Sequence, residues 1–347
     1  MSRQHLGPLV AEPRISVSIP CRNEQGFIGA CLRSIIAADR SGMHVRVFVC
    51  DGMSDDGTRQ EIAPLLALNS FISLIENPQR TTPIAMNLGL RAVPCDVGII
   101  LGAHAEVAPD FFKTNIAALR SAAEAGCAGG VIESIYTDPT SRAIGAAMAH
   151  PFGVGGAHFR TGRKSGFVDT VAFGAYRSEV FERVGWFDEM LTRNQDDEFN
   201  FRVTEAGFRI LLDPAIRSRY VVRASFNKLW RQYYQYGYWK VYVNRKHRSV
   251  TTGRQLVPAA WIAFLALGGA LALFFPWARW FFFGGIAAYV LAALVAGLSA
   301  TRAVDLPRVL RAFVTLHAAY GLGYWAGIFR FVLRGASPAR SSETLSR

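Results

Sequence analysis

Apolar residues in the first 125 positions fall into two alternating patterns. Short runs rich in β-branched side chains, Ile15–Pro20, Val45–Cys50, Phe71–Ile75 and Val97–Leu101, read as buried strands. Between them apolar side chains recur at helical spacing, as Phe27, Ile28, Cys31, Leu32, Ile35 and Ile36, and again as Ile84, Met86, Leu88 and Leu90. Asp51–Thr58 is turn chemistry that ends in a helix N-cap. This alternation predicts right-handed βαβ units and an α/β fold with a mainly parallel, doubly wound sheet. In such sheets ligands bind beyond the carboxyl ends of the strands. The polar loops Arg22–Glu24, Asp51–Asp56 and Gly102–Glu106 all follow strands at that end, so they are expected to converge on one cleft.

From 127 to 222 the pattern is less regular. Cys127–Glu133, Asp169–Tyr176 and Phe208–Asp213 are strand-like. Residues 151–166, with Phe152, His158, Phe159, Arg160, Arg163 and Lys164 among glycines, read as a loop. Thr192–Arg202 sets three carboxylates, Asp196, Asp197 and Glu198, in front of a helical pattern carried by Phe199, Val203 and Phe208. An acidic helix start satisfies capping and the helix dipole. The same stretch can present a catalytic base, and the residues alone leave both readings open.

After residue 250 the chain is almost continuously apolar. Leu256–Phe275 and Phe281–Ala300 each have the ~20 residues that cross a bilayer, and the short connector Pro276–Trp280 makes them a hairpin. A third run, Ala312–Phe329, predicts a further span over about 312–330, with a re-entrant or interfacial helix as the alternative. The positive-inside rule places 240–254, Arg302, Arg308 and Arg311 in the cytoplasm. A third span would carry Arg330, Arg334 and Arg340 outside, against that rule. The expected organisation is a tail at 1–14, a cytoplasmic domain at 15–224, a basic aromatic interface helix at 225–250, a transmembrane region at 256–333 and a tail at 334–347.

Charge sharpens this picture. A net charge of +12 points to anionic partners. Residues 215–254 hold ten Lys or Arg and no acid, interleaved with Trp230, Tyr233, Tyr234, Tyr236, Tyr238, Trp239 and Tyr242. Such a segment can stack on single-stranded nucleic acid or lie as an amphipathic helix at a membrane surface. The adjoining apolar runs favour membrane lipids, and no nucleic-acid partner is expected. The five cysteines lack CxxC spacing and read as buried thiols in a reducing compartment. Met1–Arg14 has no apolar core, so no cleavable signal peptide is expected, and a multi-pass protein of the inner (plasma) membrane follows. Oligomeric state is left open.

Four motifs coincide in order: strand-Ile19-Pro20-x-x-Asn23-Glu24, strand-Asp51-Gly52-x-Ser54-x-Asp56-Gly57-Thr58, a short polar motif after the fourth strand, and Gln195-Asp196-Asp197-Glu198 followed by Arg202 and Gly207. Over residues 13–250 this resembles glycosyltransferase family 2, the inverting nucleotide-sugar enzymes of the GT-A fold, and most closely the membrane-anchored glucosyltransferases of succinoglycan-type exopolysaccharide synthesis. The resemblance implies that Pro20, Arg22, Glu24 and Asp51 hold the base and ribose, with Arg80 and Ala103 assisting at the nucleotide sugar. It puts Gly102–His104 where the family has an Asp-x-Asp motif for Mn²⁺ or Mg²⁺, with His104 as ligand and Glu106 as helper. Gly102 stands in place of the first acid. Asp196 matches the general base and Asp197 is the reserve; Glu198 and Arg202 support the helix. Tyr236, Trp239 and Lys240 fall where relatives meet acceptor and diphosphate. The implied reaction moves a hexose from a nucleotide diphosphate sugar, a UDP-sugar, to a hydroxyl of a lipid-linked or polysaccharide acceptor. Gly102 also suits an alternative, a catalytically silent GT-A membrane scaffold or nucleotide-sugar sensor.

Overall fold

The computed structural model describes residues 4–155, 158–161, 165–222, 225–251, 253–302 and 305–338. Arg163 and Lys164 of the glycine-rich loop, Arg340 and the ends of both predicted tails lie outside the described residues. In chain order the elements are β1 (Arg14–Cys21), α1 (Ile28–Ala37), β2 (His44–Asp51), α2 (Thr58–Leu68), β3 (Ile72–Glu76), α3 (Thr82–Arg91), β4 (Val97–Ile100), β5 (Ala105–Val107), α4 (Phe111–Ser121) and β6 (Ala125–Ile135). Then come α5 (Pro139–Met148), α6 (Pro151–Val154), α7 (His158–Thr161), β7 (Gly166–Val168), β8 (Ala172–Arg177), α8 (Ser178–Val184), α9 (Gln195–Glu205) and β9 (Arg209–Val221). The C-terminal part holds α10 (Phe226–His247), α11 (Leu256–Ala263), α12 (Gly269–Phe274), α13 (Pro276–Ala300) and α14 (Leu306–Gly327).

These elements form two units. One comprises the described residues of Met1–Ile135 and His158–Val221, the other those of Tyr136–Ala157 and Val222–Arg347. The segment 136–157, expected inside the catalytic domain, groups with the C-terminal helices instead. Part of the predicted glycine-rich loop is helical, as α6 and α7.

In the first unit the described residues make a nine-stranded sheet in the order β3-β2-β1-β4-β8-β6-β9-β5, with β7 also on β9. β1 to β4 are parallel to one another. Their β-branched runs bury Ile15, Val17, Ile19, Val47, Val49, Val97 and Ile99 against the apolar face of α1, as strands covered on both faces require. Beyond β4 the sheet turns mixed: β8 runs antiparallel to β4 and β6, and β5 and β7 antiparallel to β9. Only β6 and β9 are parallel there. β9 extends well past the predicted Asp213, and its second half alternates buried Ile216 and Ser218 with exposed Arg217 and Arg219. The front of the basic segment is thus a strand rather than a helix, because its period is two. The predicted N-terminal tail is tied in: Leu6 N–H donates to Ala123 O at 2.8 Å, and Arg177 donates to Gly7 O at 2.7 Å.

In the second unit α5 opens on a capping box between Asp138 and Ser141. α10 lies along α14 with almost no side-chain layer between the backbones. A Cβ on Gly237 would come within 2.0 Å of Tyr320 O, one on Gly323 within 2.0 Å of Tyr234 O, and one on Gly327 within 2.6 Å of Tyr238 O. α14 corresponds to the third predicted span. Its Val309, Ala312, Phe313, Leu316 and Ala319 are buried within the protein. Among the described residues two helices are long and apolar enough to cross a membrane, Gly253–Phe274 and Pro276–Ala300, with mean hydropathy 2.1 and 2.2. They interlock as Phe282 covers Gly268 and Phe264 covers Gly285.

The glycine contact yields a first prediction. Gly323→Ala is expected to lower stability by about 1–3 kcal/mol, the cost of overpacking a tight interior, because the opposing atom is backbone and cannot swing aside. Gly335→Ala, in open space, serves as a control for handling, although its positive φ of 62° adds a small strain of its own. Thermal unfolding of the two variants in detergent checks this; equal midpoints would mean that α10 and α14 are not closely packed in solution.

Candidate active site

Three loops leave the carboxyl ends of β1, β2 and β4, and side chains stitch them together. Asn23, in the left-handed region at φ 53°, receives Asp55 N–H on its Oδ1 at 3.1 Å and donates from Nδ2 to Asp55 Oδ1 at 2.7 Å. Its backbone N–H donates to Ser54 Oγ at 2.9 Å. Glu24 N–H donates to Thr58 Oγ1 at 2.8 Å. The Glu61 carboxylate on α2 accepts from Gly26 and Gly29 N–H at 2.8 and 3.1 Å, which satisfies the open N-terminus of α1. The Asn23-Glu24 and Ser54–Thr58 motifs are therefore two halves of one latch.

Asp51 ends β2 and is fully buried. Its carboxylate accepts from Ser54 N–H at 3.2 Å and from Arg59 Nε at 2.5 Å. Arg59 also reaches Glu76 Oε1 at 3.0 Å, so it ties β2, α2 and β3 together. The hydrogen bond it donates to Asp51 holds the Arg59 guanidinium above its ordinary basicity. Asp51 is thus enclosed, its carboxylate held by Ser54 and Arg59. Arg59 was missed in the sequence, although a cation on the first turn after an acid at a strand end is a readable signal. Beside this pair, the Arg22 side chain lies across Gly52, where a Cβ would stand 3.2 Å from it. Arg22 Nε is buried without a partner among the described residues. Pro20 sits at the end of β1, Ala103 is buried, and Arg80 is exposed on the loop after β3.

Glu24 and His104 meet. Glu24 Oε2 lies 3.0 Å from His104 Nδ1, with both side chains mostly buried. Phe27 and Tyr220 pack edge-on against the imidazole, at 6.2 and 5.1 Å between centroids. Glu106 goes elsewhere: it pairs in register with Arg219 across β5 and β9, 3.8 Å from that guanidinium. Cys31 Sγ approaches Gly102 O at 3.7 Å, but burial, then the charges of Glu106 and Glu24, push its thiol up to about 12, so it is no thiolate ligand. Among the described residues no group of three His, Cys, Asp or Glu forms a metal cage. A Cβ on Gly102 would stand 3.3 Å from the Phe173 ring, so a carboxylate there would require that ring to yield. The donor set fits a divalent ion as one imidazole, oriented by a carboxylate, with the remaining ligands coming from phosphate oxygens and water.

The acidic stretch forms the first turn of α9. Asn194 caps it in the left-handed conformation at φ 61°, a region Asn tolerates. Gln195, Glu198, Phe199 and Val203 face inward, and Phe199 stacks on Phe187 at 4.3 Å. Glu198 is fully buried and paired at 3.0 Å with Arg202, whose Nη2 also donates to Trp186 O at 2.8 Å. That pair anchors the helix. Asp196 is exposed and Asp197 half-buried; Asp197 N–H donates to Asp196 Oδ1 at 2.9 Å. Asn200 fixes α9 to β8, accepting from Tyr176 O–H at 2.8 Å and donating to Thr170 Oγ1 at 3.0 Å. β8 is antiparallel to β4, so Thr170 and Phe173 lie at the end of the sheet where the β4 loop emerges. Through Asn200 and Thr170, α9 is thus tied to the end of the sheet where the loop bearing His104 emerges.

Tyr236, Trp239 and Lys240, expected near the acceptor, belong to the second unit. Trp239 is 2% exposed, 5.8 Å from the Phe331 ring, and Lys240 is fully enclosed. Tyr236 O–H accepts from Gln232 at 2.9 Å. On α10 Trp239 is packed inside, whereas Trp230 is exposed and the tyrosines are half-buried.

In sequence comparison the profile of Glycosyl transferase family 2 matches residues 16–185. A dolichyl N-acetyl-α-D-glucosaminyl phosphate 3-β-D-2,3-diacetamido-2,3-dideoxy-β-D-glucuronosyltransferase of Methanococcus voltae is 30% identical over 239 residues, 67% of this chain and 74% of that protein. The succinoglycan biosynthesis protein ExoA of Rhizobium meliloti (strain 1021) is 27% identical over 326 residues, 92% of this chain and 96% of that one. The chain belongs to glycosyltransferase family 2 and is a glycosyltransferase related to exopolysaccharide and lipid-linked sugar transferases. Its fold is that of the mannosyltransferase PcManGT from Pyrobaculum calidifontis, solved with GDP-Man and Mn²⁺, with a TM-score of 0.58 at 20% identity over 93% of this chain and 90% of that one.

Proposed function

We propose that the protein is a membrane-anchored, inverting glycosyltransferase that moves a hexose from a nucleotide diphosphate sugar, a UDP-sugar, to a hydroxyl of a lipid-linked or polysaccharide acceptor. The observation that supports this reading is exposed Asp196 on a helix pinned by Arg202 and Asn200, whose partner Thr170 lies at the sheet end where the loop bearing His104 emerges. Arg22, with its unpartnered Nε, meets the donor's anionic part. Asp196 takes the proton from the acceptor hydroxyl as that oxygen bonds to the anomeric carbon. The bond from that carbon to the diphosphate breaks on the opposite face, so the configuration inverts. A divalent ion, held by His104 with Mn²⁺ suited to an imidazole ligand, would neutralise charge on the leaving diphosphate. The same ion accompanies the nucleotide sugar in the Pyrobaculum structure.

Anchoring rests on the surface of the two long apolar helices. Leu267, Leu273, Phe274, Trp280, Phe281, Leu291, Val295 and Leu298 are all more than half exposed. An apolar face of that extent suits lipid, not water. Tethering keeps the catalytic unit near amphiphilic acceptors, in line with the lipid-linked substrate named for the Methanococcus relative.

The reading is tested with membranes containing the full-length protein. UDP release from UDP-hexoses should require a divalent cation and should rise when lipid extract is added as acceptor. Chelation with EDTA should abolish release and Mn²⁺ should restore it. Release unaffected by EDTA would count against the ion, and no transfer across a panel of UDP- and GDP-sugars would count against the donor class.

A further inference from the structure

We propose that Glu24 acts as the positioning residue of His104 rather than as a ligand of the ribose. The inference rests on His104 being the site's metal-binding imidazole. Glu24 Oε2 lies 3.0 Å from His104 Nδ1, although the two residues are 80 positions apart. A carboxylate at that distance keeps the proton on Nδ1 and leaves the Nε2 lone pair as the ring's only ligand position. The ring cannot easily rotate away, because Phe27 and Tyr220 close on it edge-first from two elements.

Glu24 itself is held as a fixture. Its N–H is committed to Thr58 Oγ1, and its carbonyl oxygen accepts from Phe27 and Ile28 N–H at 3.0 and 3.1 Å, where α1 begins. With its backbone fixed there, the Glu24 carboxylate is set beside Nδ1 and placed to hold the imidazole. The device has a particular use here. With Gly102 in place of the first motif acid, and Glu106 drawn to Arg219, a single imidazole among the described residues supplies the protein's share of ligation. A lone ligand tolerates little misorientation, so its orienting partner carries more weight than it would in a site of several carboxylates.

Equilibrium dialysis of UDP against the full-length protein in detergent, with and without Mn²⁺, separates the possibilities. The wild type should bind UDP more tightly with Mn²⁺, and His104→Ala should lose that gain. Glu24→Gln should leave metal-free UDP affinity unchanged and cut the Mn²⁺-dependent gain by about 10-fold or more, the usual cost of removing a carboxylate behind a metal-bound histidine. In the double variant the second substitution should add nothing. If Glu24→Gln weakens UDP equally with and without Mn²⁺, Glu24 is a nucleotide ligand and the proposal falls. If it leaves the gain intact while His104→Ala removes it, the proposal falls and the metal role of His104 stands. If the wild type shows no gain, or His104→Ala keeps it, the underlying assignment fails as well. An independent readout avoids the Glu24 variant altogether. In ¹⁵N-histidine spectra of the wild type, with His104 assigned by its loss in His104→Ala, the proton should reside on Nδ1; a proton on Nε2 overturns the proposal.

Discussion

Asp196→Asn is expected to reduce sugar transfer by about 10²–10⁴-fold, the range supplied by a positioned general base, while donor binding stays near wild type. The substitution is well suited to the question because the amide keeps the shape of the carboxylate. Its oxygen can still accept from Asp197 N–H, as Asp196 Oδ1 does at 2.9 Å. The helix itself does not depend on Asp196: Gln195, Glu198 and Phe199 form its buried face, and Arg202 ties Glu198 to the carbonyl of Trp186. A loss of transfer with intact folding and UDP affinity therefore reports on proton abstraction. Wild-type turnover in Asp196→Asn would remove Asp196 from the mechanism. The same measurement on Asp197→Asn, half-buried one residue further on, would then decide whether the base is its neighbour. Glu198 is a poor candidate at the outset, since it is buried in its ion pair.

How far these features could be read from the sequence follows from their range along the chain. β1 to β4 were legible because a strand covered on both faces must be apolar throughout, which leaves a run that no amphipathic helix imitates. β5 and β7 are three residues each and are set by pairing to β9, a non-local fact that no local pattern carries. The loops bearing Glu24, Asp51 and His104 were placed correctly at strand ends by the alternation alone. What those side chains touch was not, because the Glu24–His104 contact joins two loops through the fold. The packing of the basic aromatic segment was not legible, for a physical reason. Tyrosine, tryptophan and cationic side chains suit a lipid surface, but Gly237 facing α14, and Gly323 and Gly327 facing α10, permit a backbone approach that buries Trp239 and Lys240 instead. Glycines four residues apart on α14 were the available signal, one that marks close helix contact as readily in a hydrophobic helix as in a membrane.

Arg59→Met is expected to destabilise the catalytic unit by about 3 kcal/mol, because it strands a fully buried carboxylate. Asp51 has no solvent access, and Arg59 Nε at 2.5 Å is its cationic partner. The estimate sits at the low end for a broken buried pair for two reasons. Arg59 is about one-third exposed, so water already screens the interaction, and Ser54 continues to donate to the carboxylate. Asp51→Asn should cost less, since the freed guanidinium can turn to Glu76 and water. The double variant Asp51→Asn/Arg59→Met should be more stable than Arg59→Met alone, because no buried charge is left unpaired. Thermal midpoints of the four proteins form the cycle, and strict additivity would mean that the pair is not coupled. UDP affinity in the same set addresses function. If Asp51 and Arg59 only shape the β2 end, the double variant regains binding along with stability. If Asp51 leaves Arg59 to meet the nucleotide base when donor arrives, stability returns and binding does not. The second outcome would turn this ion pair into a resting-state lock, with Arg59 as the key that the donor moves.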